Sequence, residues 1–408
     1  MQLKADCPVY GGYVIVRDEG VVFVKGAIPE EVVEVSVIEK KKDYSIAVVL
    51  DVIEPSPFRV RPPCLHFGLC GGCQFQFISY EKQVSMKQEI MLDCLRRIGG
   101  IETELRAPLI GNDFNYRLRA QFKVSKEGQI GFYKEASRDV VPIDNCLLMD
   151  DRINEALGNL KKCNLSGIKE IHITCGDKLI ALIKGMGFNE ALSEEFIGVG
   201  FSGIAFDDYK WRGAGYTSFD LRGLTYSVSP WTFLQSNWAL NTQAVELIVN
   251  EIEPITGQTI IDLYSGAGNL SLPLARDSHE VVAIEENPYA IKDGKRNLEI
   301  NNIQNFRFLK SDWTTIEKGK AVDIVILDPP RIGLTDKVIK MLREISPQRI
   351  VYVSCNPATL ARDLKRLNGK YRLDSIRLMD FFPHTYHIES LTFLSLANEH
   401  RVSGQADI

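Results

Sequence analysis

Thr259-Ile260-Ile261-Asp262-Leu263-Tyr264-Ser265-Gly266-Ala267-Gly268-Asn269-Leu270-Ser271-Leu272 reads as an apolar strand that runs into a glycine turn and then a helix. Glycines there let the backbone bend tightly and approach a bound nucleoside. The third glycine of the dinucleotide fingerprint is missing, because Ser271 stands in its place. The stretch therefore favours S-adenosylmethionine over a pyrophosphate-bearing cofactor, with Gly266, Gly268 and Asn269 facing it.

Further along, strand-like runs at 280–284, 306–309, 324–327 and 350–353 alternate with helical stretches. That alternation predicts a mostly parallel sheet flanked by helices over 231–397. Glu285 closes one of these strands, where a carboxylate can accept both hydroxyls of a ribose. Asp312, beyond the next, is placed to meet an adenine amino group. Either acid alone reads equally well as a helix cap or a solvated loop. Together with the glycine turn they mark one ligand-binding edge of an open sheet. Asp328-Pro329-Pro330-Arg331 follows another strand, and its prolines stiffen a loop and expose its carbonyls. In Val353-Ser354-Cys355-Asn356-Pro357 a cysteine sits where a strand gives way to a helix. A lone cysteine there is usually filler, but a helix N-terminus beside a cofactor cleft favours the nucleophilic thiolate. Glu389, opening the apolar strand 390–396, is the candidate general base.

Upstream of residue 231 the pattern changes. Short apolar runs at 13–16, 21–24, 31–38 and 44–53, separated by Gly and Pro turns, predict a small β-barrel over 1–58. Such a module is either an OB-like nucleic-acid binder or a barrel that only packs on its neighbour. Residues 55–63 are Pro-rich and mark a boundary. The stretch 59–230 reads as a mixed α+β central domain, with a helical pattern at 79–97 that ends at Gly99-Gly100. The residues 398–408 form a polar tail. Within the central stretch, Cys64-x5-Cys70-x2-Cys73 gathers three thiols on a Gly-rich loop, and Cys146 is the best distant fourth. Spacing alone leaves zinc and an iron–sulfur cluster both open.

The composition sets bounds on these readings. The 408 residues are 45% hydrophobic and 25% charged, as in soluble globular chains, which excludes collagen and wholesale disorder. No apolar run reaches the ~18 residues of a membrane span, and Lys4 and Asp6 interrupt any signal-peptide core. A cytoplasmic monomer away from the membrane is expected. The net charge of −5 means that charge alone does not argue for a nucleic-acid partner, although a local basic surface suffices for one. Nine cysteines without an export signal make a disulfide framework a poor reading. Arg117, Arg119, Lys123 and Lys134 are candidate phosphate contacts, and Phe233, Phe381 and Phe382 are candidate stacking partners for bases.

The chain resembles the uridine-5 RNA methyltransferases, the family that makes 5-methyluridine. It is most similar in pattern to the branch with an N-terminal TRAM barrel and an iron–sulfur cluster that acts on large-subunit (23S) ribosomal RNA. The resemblance rests on Cys64-x5-Cys70-Gly-Gly-Cys73, Asn115-Tyr116-Arg117, Phe233-x-Gln235-x-Asn237, Asp262-Leu263-Tyr264-Ser265-Gly266-x-Gly268-Asn269, Asp328-Pro329-Pro330-Arg331-x-Gly333, Ser354-Cys355-Asn356-Pro357 and His387-Ile388-Glu389. Tyr264 and Ser265 depart from the phenylalanine and cysteine that such proteins often carry. The resemblance implies a Rossmann-like catalytic domain. It implies that Cys64, Cys70, Cys73 and Cys146 hold a [4Fe–4S] cluster, and that Gln235, Tyr264, Glu285 and Asp328 contact S-adenosylmethionine. It also makes Cys355 the nucleophile and Glu389 the base. A transfer-RNA T-loop uridine is the alternative target, and a non-catalytic RNA-binding protein is the alternative of another class.

Overall fold

A computed structural model of the protein describes residues 1–17, 20–310 and 321–397. Six strands open the chain: β1 (Gln2–Lys4), β2 (Cys7–Val9), β3 (Tyr13–Arg17), β4 (Val21–Lys25), β5 (Val32–Lys40) and β6 (Tyr44–Glu54), in sheet order 1-5-6-4-3-2. The two edge strands, β1 and β2, are separated only by Ala5 and Asp6. These bond to opposite ends of the sheet, Ala5 N to Glu31 O at 2.8 Å and Asp6 N to Ile15 O at 2.9 Å. The edges therefore meet and the sheet curls round a core of Leu3, Val14, Val16, Val24, Val33 and Val35. The Pro-rich boundary is fastened down: buried Glu31 takes the Arg59 Nε at 2.6 Å and the Ser56 N–H at 3.1 Å.

Helix α1 (Tyr80–Cys94) continues as a wider turn over Leu95–Gly99 and stops at Gly100, whose φ of 65° suits glycine. Its apolar side, Val84, Ile90, Met91 and Leu95, packs with Leu360, Ala361 and Leu364 of the catalytic layer. The next strand, β7 (Arg106–Leu109), pairs in parallel with β22 (Tyr371–Met379) at the edge of the catalytic sheet. A stretch assigned by sequence to the central domain thus lies partly on the catalytic layer.

The central sheet has seven strands among the described residues: β8 (Arg119–Val124), β9 (Ile130–Tyr133), β10 (Val140–Pro142), β11 (Glu170–Cys175), β12 (Leu179–Lys184), β13 (Gly203–Phe206) and β14 (Trp211–Gly213), in order 10-9-8-11-12-13-14. Helices α2 (Asp151–Leu160) and α3 (Glu190–Gly198) supply buried Ile153, Leu157, Leu192 and Phe196 to its core. A hairpin, β15 (Thr217–Leu221) and β16 (Leu224–Val228), and helix α4 (Trp238–Ile252) lead into the catalytic layer.

That layer consists of β17 (Thr259–Leu263), β18 (Glu280–Glu285), α5 (Pro288–Ile300), β19 (Phe306–Lys310), β20 (Ile324–Leu327), α6 (Asp336–Ile345), β21 (Arg349–Ser354), α7 (Pro357–Leu367), β22 and β23 (Glu389–Leu396). Its sheet runs 19-18-17-20-21-23-22-7, parallel from β19 to β21. Residues of β17 and β20 are buried throughout, as expected of strands covered on both faces. From β17 the chain moves one way to β18 and β19, then returns to the other side for β20. This creates a switch point outside the carboxyl ends of β17 and β20, where open sheets bind ligands. Among the described residues no helix is long and apolar enough to cross a membrane.

Candidate active site

The register of the sheet brings the candidate nucleophile and base together. Antiparallel β21 and β23 pair Ser354 with Ser390, and the Ser390 hydroxyl donates to the Ser354 carbonyl at 3.2 Å. Cys355 follows the end of β21 and Glu389 opens β23, so both lie at the same end of the paired strands. Both line a cavity of about 680 Å³ with Arg331, His387, Phe233 and Gln235. Helix α1 pins the loop that carries His387. Lys87 Nζ lies 2.7 Å from Asp380 Oδ1, both side chains fully buried, and donates to the Phe382 carbonyl at 3.1 Å. Gln83 accepts the His384 N–H at 2.9 Å.

Burial lifts the Glu389 carboxyl to about 8, with Asp328 adding to the rise and Arg331 opposing it. The helix N-terminus does not make Cys355 acidic, contrary to the sequence expectation. Burial, then Glu389 and Asp328, push its thiol up to about 11 against the pull of Arg331. Helix α7 starts two residues later, and its first free N–H groups are taken by the Asn356 side chain, at 3.0 Å from Ala358 N. His387 is held neutral: burial, then Arg331, lower it to about 4.

The cofactor edge lies next to this cavity. A smaller cavity holds Gln235, Tyr264, Gly266, Asn269 and Asp328, with Asp262 at its base. Gln235 and Phe233 line both cavities, so the two join there. The Gln235 Oε1 is buried without a partner among the described residues. Tyr264 turns the chain at φ 63° and also lines a third cavity containing Glu285. Glu285 fastens the glycine turn, taking the Gly266 N–H at 2.8 Å and those of Glu286 and Asn287 at 2.8 and 2.7 Å. A carboxylate has about four acceptor positions, so one remains. Gly268, at φ 89°, holds a backbone conformation that side chains rarely adopt, beside the Phe308 ring. Asn269 is committed to a reciprocal amide pair with Asn241, at 2.7 and 2.8 Å. Burial lifts Asp328 to about 7. Asp312 lies outside the described residues.

Sequence reasoning passed over Asp262. Burial raises its carboxyl to about 8, opposed by a 2.5 Å hydrogen bond from Ser271 Oγ. The residue that replaces the third glycine thus anchors the strand end beneath the cofactor cavity. The signal was present as an acid and a serine on either side of the turn. Two candidate phosphate contacts are engaged elsewhere. Half-buried Arg119 donates to the Thr232 and Pro230 carbonyls, and Lys123 pairs with Glu170 at 2.6 Å.

Cys64, Cys70, Cys73 and Cys146 line one cavity, walled by Phe67, Phe132, Ile143 and Leu148. Gly71 allows the loop to lie on β9, its N–H on the Tyr133 carbonyl at 3.0 Å, where a Cβ would stand 3.2 Å from backbone. The Cys64 N–H is held by Gln76 at 3.2 Å and the Cys146 N–H by Asn154 at 2.9 Å. Burial pushes the Cys73 thiol up to about 12, and the other three cysteines add to the rise. Among the described residues no group of three or more His, Cys, Asp or Glu could hold a metal ion.

A doubly wound sheet with a nucleoside-sized edge and a thiol–carboxylate pair beside its switch point defines an α/β methyltransferase-class enzyme. The tRNA (uracil-5-)-methyltransferase family matches residues 217–397. An uncharacterized RNA methyltransferase of Aquifex aeolicus is 35% identical, over 97% of this chain and 98% of its own length. The 23S rRNA (uracil(1939)-C(5))-methyltransferase RlmD of Alkalilimnicola ehrlichii is 33% identical over 92% of each chain. In structure, the Pyrococcus abyssi tRNA (uracil-54, C5)-methyltransferase in complex with S-adenosyl-L-homocysteine superposes with a TM-score of 0.77, at 28% identity, over 96% of this chain and 99% of its own. The chain belongs to the RNA uracil-5-methyltransferase family and is an S-adenosylmethionine-dependent enzyme of uridine C5 methylation.

Proposed function

We propose that the protein methylates C5 of a uridine in large-subunit (23S) ribosomal RNA, with Cys355 as nucleophile and Glu389 as base. The observation that carries this reading is the shared cavity, lined by Cys355, Glu389 and Arg331 together with Gln235 of the cofactor edge. C5 of uracil is a weak nucleophile. Addition of the Cys355 Sγ to C6, with loss of the thiol proton to solvent, places the electron pair on C5 and O4, and so splits one hard step into easier ones. Arg331 is the cation whose field favours both the thiolate and the developing negative charge. S-adenosylmethionine supplies an electrophilic methyl group. Once C5 carries it, the Glu389 carboxylate takes the C5 proton, the Sγ–C6 bond breaks and the thiolate is restored. Reaching this cavity requires the uridine to leave its stack, and exposed Phe233 on the rim can receive a flanking base.

The domain reading is 1–58 for an RNA-contacting barrel of TRAM type, 59–230 for the cluster-bearing unit and 231–397 for the catalytic unit. We assign the protein to the cytoplasm as a monomer. Gln235, Tyr264, Gly266, Glu285 and Asp328 are assigned to the cofactor, Gly268 and Asn269 to shaping its turn. A [4Fe–4S] cluster on Cys64, Cys70, Cys73 and Cys146 is supported by the shared, largely apolar cavity. It is also supported by the mutual repulsion the four thiolates would suffer without a cationic core. The choice of this cluster over zinc rests on the motif resemblance. Bound there, the cluster would staple the 64–73 loop to the 143–148 segment.

The test is a methylation assay on anaerobically purified protein with S-adenosylmethionine and separate 23S and transfer-RNA transcripts, read by nucleoside mass spectrometry. 5-Methyluridine in the 23S transcript alone supports the reading. Product only in transfer RNA moves the substrate to the T-loop, a target favoured by the whole-length likeness to the Pyrococcus enzyme. No product in either removes the assignment.

A further inference from the structure

The N-terminal barrel reaches the reaction centre. Its β2–β3 turn, Tyr10-Gly11-Gly12, lies against the loop that precedes β23. The Tyr10 hydroxyl donates to the Cys355 carbonyl at 3.3 Å, across 345 residues of sequence. Its ring meets Tyr386 edge-on, with centroids 6.0 Å apart at 88°. Gly12, at φ 87°, gives the turn a backbone conformation that suits glycine beside Tyr386. The peptide that Tyr10 grips is also held at its other polar atom: the Asn356 N–H donates to Ser354 Oγ at 3.3 Å. Asn356 Nδ2 in turn donates to the Arg331 carbonyl at 3.2 Å, tying this junction to the Asp328-Pro329-Pro330-Arg331 loop. The peptide plane after Cys355 is thereby fixed from both sides, and the direction of the thiol with it.

Resting on the reading of Cys355 as nucleophile, we propose that Tyr10 is a positioning residue. By holding the Cys355 carbonyl, it sets the line along which the thiol approaches C6, so the barrel completes the catalytic centre. Burial lifts the Tyr10 hydroxyl to about 12, which keeps it a donor at every working pH.

The test uses the full chain with Tyr10→Phe, which keeps the ring and removes the donor. The probe is 23S and transfer-RNA transcripts made with 5-fluorouridine. With fluorine at C5, Sγ–C6 bond formation and methyl transfer proceed, but no C5 proton is available to remove, so the covalent adduct accumulates. The adduct rate at saturating RNA and S-adenosylmethionine is measured beside the RNA Kd and the Tm. Losing one neutral hydrogen bond predicts an adduct rate about 5-fold slower, with RNA Kd and Tm unchanged. A rate within 2-fold of wild type, or a defect that vanishes at saturating RNA, overturns the proposal and leaves the barrel a packing or RNA-gripping module. If the wild type forms no adduct on either transcript, the nucleophile assignment itself falls and Tyr10 has nothing to position.

Discussion

Glu389→Gln should separate the two halves of the reaction. With the wild-type carboxyl at about 8, roughly a tenth of molecules carry the carboxylate at pH 7, about half at pH 8 and about nine tenths at pH 9. Turnover limited by proton removal should therefore rise about 5-fold from pH 7 to 8 and less than about 2-fold from 8 to 9. The glutamine cannot take the proton, and loss of a general base costs about 10²-fold or more. Addition behaves differently. At pH 7 Cys355 faces a mostly neutral carboxyl in the wild type and a neutral amide in the variant, so adduct formation should agree within about 2-fold. Glu389 is among the causes that raise the Cys355 thiol, and two unit charges ~5 Å apart in an effective dielectric of ~20 repel by about 3 kcal/mol. The wild-type thiolate meets that repulsion only once Glu389 ionises, so at pH 9 the variant should form adduct faster than the wild type. Single turnover with methyl-labelled S-adenosylmethionine gives both numbers, the adduct from denaturing gels and released 5-methyluridine from mass spectrometry. Release by the variant at the wild-type rate, or methyl transfer without any trapped adduct, would refute the role of Glu389. A flat wild-type profile between pH 7 and 8 would refute its titration.

Cys355→Ala should abolish turnover while S-adenosylhomocysteine affinity and Tm stay near wild type, checked by calorimetry and thermal melting; any residual turnover above background places the nucleophile elsewhere. Cys73→Ser, purified anaerobically, should lose the visible absorbance of the cluster and most of its iron. Its Tm should fall, because the cavity then keeps three buried thiols without their cationic core; full iron content would exclude Cys73 as a ligand. Asp262, Asp328 and Glu389 all hold protons above the ordinary carboxyl range, at about 8, 7 and 8. The folded state keeps protons that the unfolded chain has shed, so the stability they contribute is complete below ~pH 4 and lost as pH rises through 7 to 8. The neutral histidines act oppositely, but below ~pH 6.5. Urea midpoints of the ligand-free protein should therefore fall between pH 6.5 and 8, and a rising midpoint would show that these carboxyls are ionised.

The cofactor edge was legible because its residues follow one another along the chain. In a parallel sheet each strand ends on the same side, so an acid or glycine after an apolar run is placed by its own position. That logic pointed to Gly266 and Glu285 without knowledge of the partner strands, whereas Tyr264 and Asp328 came from the motif resemblance. The same logic could not tell that Asn269 is spent on Asn241, since that depends on a neighbour brought by α4. Cys355 and Glu389 are a different case. They meet because β23 inserts between β21 and β22, against chain order, and a strand pattern carries no register. Only the motif resemblance paired them. The thiol shows the same limit in its electrostatics. A helix start is visible in sequence and argues for an acidic cysteine, but the sign of the shift is a sum over its whole surroundings, and burial, with two neighbouring carboxyls, outweighs one capped helix end. Tyr10 lies at the far extreme, since Val9-Tyr10-Gly11-Gly12 reads as a turn and nothing local says what the turn will touch. Contacts set by a strand's own end can be read from sequence; those set by which strand, helix or barrel arrives beside it need the fold.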